Sequence, residues 1–111
     1  MTEQPTLFDA PPAAEAEKIL LFALGEFQQR GKTLAGRELA LDRLRGAFRR
    51  AADEFGVEAL TDEKSAETLE KLGARVVRKP SFVAKHPFYV TVQANLAERA
   101  QAFYREFSKD D

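Results

Sequence analysis

Hydrophobic residues recur at helical spacing in four stretches of this chain and at strand-like spacing in one region between the last two. The first stretch runs from Ala13 or Ala14 to Arg30. Ile19, Leu20, Ala23 and Phe27 make one face, Leu21, Phe22 and Leu24 widen it almost all round, and Gly31 follows as a stop signal. A helix apolar on most sides belongs at the centre of a fold. Lys32-Thr33-Leu34 is then a small strand or simply a link. From Gly36 to Phe55, the positions Leu41, Leu44, Phe48, Ala51 or Ala52, and Phe55 keep a three-or-four-residue rhythm that ends at Gly56, which predicts a long amphipathic helix. Its polar face interleaves Arg37, Arg43, Arg45, Arg49 and Arg50 with Glu38, Asp42, Asp53 and Glu54, at spacings that allow pairs such as Arg49 with Asp53.

Val57 to Leu60 reads as a turn, after which Thr61 caps a third helix with Asp62 and Glu63 in its first turn. Ala66, Leu69 and Leu72 face inward before Gly73 stops it. Next come Arg75-Val76-Val77-Arg78, Ser81 to Ala84 and Phe88 to Val92, β-rich runs broken by Pro80 and by His86-Pro87. They predict a hairpin whose turn falls at Lys79-Pro80-Ser81 or at Lys85-His86-Pro87. A last helix starts at Asn95, with Glu98 placed for a capping box and Leu96, Ala100, Phe103 and Phe107 on its inner face. The fold class is therefore α+β and mostly helical: one domain over residues 14–108, a flexible tail over 1–13 rich in Pro and small polar residues, and a frayed end at 109–111.

Composition changes this picture in one respect. The 44% hydrophobic and 32% charged content is that of a globular chain, and the net charge of −1 hides a segregation of signs. Met1 to Lys18 holds Glu3, Asp9, Glu15 and Glu17 against one Lys, whereas Ala74 to Ala94 holds Arg75, Arg78, Lys79 and Lys85 and no acid. One surface is expected to be locally basic. The chain has no Cys, no basic leader and no apolar run long enough to span a bilayer, so a cytoplasmic location without membrane contact is expected.

Catalytic patterns are missing as well. His86 is the only histidine, no carboxylate pair stands out as an acid–base dyad, and Gly25, Gly31 and Gly36 sit at helix ends or links without the Lys-Ser/Thr of a phosphate loop. No enzyme activity, cofactor or metal is expected.

The order helix, link, helix, helix, hairpin resembles a winged-helix domain, here over roughly residues 14–92, with the helix from Asn95 as an addition. The resemblance implies a third helix that enters the DNA major groove and a hairpin wing that touches the backbone or minor groove. The third helix departs from that role, since Asp62, Glu63, Glu67 and Glu70 against Lys64 and Lys71 repel phosphate. The hairpin suits it: Arg75, Arg78, Lys79, Lys85 and His86, with Ser81 and Tyr89 as hydrogen-bonding partners, are placed to follow a phosphate backbone without reading sequence. The competing reading of the same charges is protection of an exposed strand edge.

In the tail, Gln4-Pro5-Thr6-Leu7-Phe8 resembles the pentapeptide Gln-x-x-Leu-Phe by which bacterial replication and repair proteins dock on the sliding clamp. Gln4, Leu7 and Phe8 match its specifying positions, and Pro5 stands where an aliphatic residue is common. The other readings of Leu7 and Phe8 are a fold-back onto the domain and self-association. The function expected from the sequence is a non-enzymatic accessory DNA-binding factor of bacterial replication or repair. The alternative is a protein-interaction subunit that uses the same scaffold and its acidic third helix as a docking surface, and an exposed apolar patch near Phe103, Tyr104 and Phe107 would point to such a partner or to a homodimer.

Overall fold

The computed structural model describes residues 13–79 and 88–108. Within them the order is α1 (Ala13–Gln29), β1 (Glu38–Ala40), α2 (Leu41–Phe55), α3 (Asp62–Leu72), β2 (Arg75–Arg78), β3 (Phe88–Thr91) and α4 (Ala94–Ser108). The class is α+β and mostly helical. Helix α1 is the centre of the packing, as its nearly continuous apolar surface requires. Ile19, Leu20, Leu21, Phe22, Ala23, Leu24 and Phe27 are all buried, and α2, α3 and α4 pack around them. Each of the Ile, Leu and Phe side chains contributes roughly 1.5–3 kcal/mol by leaving water, so α1 supplies the largest single share of the core.

Helix α4 crosses α1 at Gly25. A Cβ at that position would overlap the Cβ of Tyr104 and lie 2.5 Å from the Ala100 carbonyl oxygen, so only hydrogen fits between the two helices. Gly25 is thus inside α1, not at a helix end as its residue type suggested. Three residues on, the Gln28 amide donates across the same crossing to the Ala97 carbonyl at 3.0 Å.

The three strands form one antiparallel sheet in the order β1-β3-β2. Leu39 faces Val90 and Val90 faces Val76 in register, and Leu39 and Val90 are buried against the helices. The next row, Glu38–Thr91–Arg75, turns outward. The strand β1 corrects the expectation of one helix from Gly36 to Phe55. Gly36 takes a φ of +75° and donates its N–H to the Val92 carbonyl at 2.8 Å, which lays the following residues along β3 before the helix can start. Ala35 forms an isolated bridge with Val92, so Lys32 to Leu34 is a link.

Other local signals act as expected. The Thr61 hydroxyl accepts the Lys64 N–H at 3.1 Å as the cap of α3. Gly73, at φ +107°, closes that helix, with the Ala74 N–H returning to the Leu69 carbonyl at 2.9 Å. At α4 the capping box does not form, because the helix already begins at Ala94. Asn95 is inside its first turn and its Oδ1 accepts from the Leu96 N–H at 2.9 Å.

Candidate nucleic-acid interface

The basic segment is built on β2 and β3. Among the described residues β3 is the middle strand and β2 an edge, and β2 carries Arg75 and Arg78 at its two ends, both exposed. At a strand rise near 3.3 Å per residue their α-carbons lie about 10 Å apart. Arg78 holds its guanidinium 4.7 Å from the centroid of the Phe88 ring, directly across the hairpin. Such a cation–π contact limits the rotamers of Arg78 while leaving N–H groups directed to solvent. Neither arginine has an acidic partner among the described residues.

Lys79 is placed differently. Its ammonium lies 4.5 Å from the Tyr89 ring centroid and 2.8 Å from Glu38 Oε1, so the side chain reaches over β3 to β1 on the far side of the sheet. The sequence segment is free of acids, but the sheet face is not. The sequence reading did not bring Glu38 to this segment, because its partner Lys79 is 41 positions away in the chain. Of the other predicted contacts, Ser81, Lys85 and His86, together with the Ser81 to Ala84 run, the Lys85-His86-Pro87 turn and Pro80-Ser81 of the other candidate turn, lie outside the described residues, as do Gln4, Leu7 and Phe8 of the tail.

The arginines of α2 divide into two groups. Arg45 makes a double hydrogen bond to Asp62, at 3.1 and 2.9 Å, and so ties α2 to the first turn of α3. Arg50 binds both carboxylate oxygens of Glu26, at 3.0 and 2.9 Å, and ties α2 to α1. That hydrogen bond to Glu26 raises the Arg50 pKa above its ordinary value, so this staple keeps its positive charge. Arg43 and Arg49 remain exposed on the outer face, and the Arg49–Asp53 pair that the spacing allows is not made. In each pair a single guanidinium nitrogen reaches both carboxylate oxygens, and Arg45 also lies 3.7 Å from Asp42 on its own helix.

Helix α3 presents Glu63, Glu67 and Glu70 outward at positions i, i+4 and i+7, one acidic stripe, with Lys64 placed 3.8 Å from Glu67. Only Gly73 and Ala74 separate this helix from β2, so acidic and basic surfaces adjoin at the root of the hairpin. No cluster of three or more His, Cys, Asp or Glu that could hold a metal is present among the described residues, and none of their helices is long and apolar enough to cross a membrane. No protein-family model, curated protein or solved structure matches this chain.

Proposed function

We propose that the chain is a winged-helix protein that serves as a non-enzymatic accessory factor of bacterial DNA replication or repair, holding the DNA backbone through its hairpin. Support for the scaffold comes from the element order α1-β1-α2-α3-β2-β3 and from a sheet in which β1 joins the far side of the hairpin. The observation that carries the DNA reading is the pair Arg75 and Arg78, exposed on an edge strand with no acid beside them among the described residues. The stripe Glu63, Glu67 and Glu70 keeps α3 out of the major groove, so binding is directed at phosphates and indifferent to sequence. In this reading Ser81, Lys85 and His86 extend the same contact, and Gln4, Leu7 and Phe8 dock the protein on the sliding clamp.

Fluorescence anisotropy with duplex and single-stranded DNA tests the first half. Affinity in the range of about 10⁻⁴ to 10⁻⁶ M, similar for unrelated sequences and lost with added salt, is expected. No binding at low salt would remove the DNA reading. For the tail, capture of the protein on an immobilised bacterial clamp should be lost in the Leu7→Ala/Phe8→Ala variant. Equal capture of that variant would dismiss the clamp as its partner.

The acidic stripe favours a second reading, a docking subunit whose α3 meets a basic protein surface. A partner that binds the native chain but not a Glu63→Gln/Glu67→Gln/Glu70→Gln variant, in the absence of DNA binding, would establish it.

A further inference from the structure

The sheet has a second face, turned away from the helices. Leu39 and Val90 point inward, so strand alternation directs Glu38, Ala40, Arg75, Val77 and Tyr89 outward, and none of these is buried. Tyr89 stands in the middle strand, flanked in register by Ala40 on β1 and Val77 on β2. A ring between two short side chains lies on a shallow shelf rather than in a pocket. Arg75, at the start of β2, and Lys79, directly after it, are two residues to either side of that row, about 7 Å each way along the strand direction. The shelf therefore has an aromatic centre with a cation at both ends.

We propose that Tyr89 is a stacking platform for an unpaired base, so that the DNA this protein holds best is single-stranded. The inference rests on the DNA reading and narrows it. A charged strand edge serves duplex and single strand alike, because both offer phosphates. An aromatic ring on an open face between two cations serves only a base whose own face is free, and in a duplex those faces are covered by neighbouring bases. In the structure Lys79 lies across the shelf: its ammonium is 4.5 Å from the Tyr89 centroid and 2.8 Å from Glu38 Oε1. The two side chains of that ion pair are 49% and 43% exposed, so the clasp is weak and a phosphate can take the place of the carboxylate. The ammonium then moves to the DNA backbone and leaves the ring to the base.

Anisotropy titrations of the native chain compare an oligothymidylate of about 12 nucleotides with an abasic deoxyribose-phosphate strand of equal length and with a duplex. The thymidylate should bind about tenfold more tightly than the abasic strand, which has the same charge and no base to stack. Tyr89→Ala should remove most of that advantage and leave affinity for the abasic strand and the duplex unchanged, whereas Tyr89→Phe should keep it. The chain has two tyrosines and no tryptophan, so intrinsic fluorescence gives a second readout. In Tyr104→Phe, where Tyr89 is the sole emitter, thymidylate should quench the emission and the abasic strand should not. In Tyr89→Phe, whose emitter is Tyr104 packed 4.9 Å from Phe22, neither should quench it. A Tyr89 that only packs the sheet would lower stability on truncation without changing the ratio of the two affinities, and that outcome overturns the proposal. Equal binding of thymidylate and abasic strand by the native protein, an arm that needs no variant to fold, would overturn it and leave the DNA reading standing. So would an unquenched Tyr89 in the bound protein. Absence of binding to all three nucleic acids would remove both.

Discussion

At Gly25 two energetic terms of opposite sign can be separated by experiment. Adding a Cβ to a glycine inside a helix ordinarily gains about 1 kcal/mol of helix propensity. At Gly46, in α2, such a Cβ would meet only Arg50 Nη1, at 3.4 Å, the edge of ordinary van der Waals contact, so that gain should be realised. At Gly25 the neighbour is the backbone oxygen of Ala100 at 2.5 Å, which cannot rotate away. Overpacking of this kind costs roughly 1–3 kcal/mol. We expect Gly46→Ala to raise the free energy of unfolding in urea by about 0.5–1 kcal/mol and Gly25→Ala to lower it by about 1 kcal/mol or more. A stabilised Gly25→Ala variant would mean that α4 does not cross α1 at this point. The sequence reading set Gly25 at a helix end or link, and the close contact that decides its role is made by a helix some 75 residues away.

At the scale of elements, what was legible was local. The cap at Thr61, the stop at Gly73 and the inward positions Ala66, Leu69 and Leu72 are all decided within a few residues of each other, and the structure places α3 accordingly. Strand β1 was not legible. Glu and Ala are depleted from strands, and Glu38-Leu39-Ala40 continues the apolar rhythm of α2 without a break. Its conformation comes from the turn at Gly36 and from pairing with β3, both tertiary in origin. The same limit affected the candidate site: Arg75 and Arg78 could be named from their segment, but the neutralisation of Lys79 could not, because Glu38 reaches it only through β1. Replacing Glu38 tests this directly. Glu38→Gln removes a negative charge from the sheet face and releases the Lys79 ammonium, so affinity for duplex DNA at about 0.05 M salt should rise severalfold and the salt slope should steepen by up to about 1. An unchanged affinity would place Lys79 outside the interface.

For the whole molecule, the near-zero net charge of −1 results from separating the signs over different surfaces. The arginines that might have made α2 uniformly basic are partly used internally, Arg45 on Asp62 and Arg50 on Glu26. What remains outward is a basic edge at β2, an acidic stripe on α3, and an open, largely charged-lined groove between α1 and α4. These are three different surface chemistries on one small domain.

The central claim is that the β2 edge holds the DNA backbone, and the salt dependence of duplex binding tests it most directly. The slope of log K against log salt should be shallower by about 2 in the Arg75→Ala/Arg78→Ala variant than in the native protein. In Arg43→Ala/Arg49→Ala, which removes the same charge from α2, it should be nearly unchanged. Equal slopes for the native protein and the Arg75→Ala/Arg78→Ala variant would contradict the account.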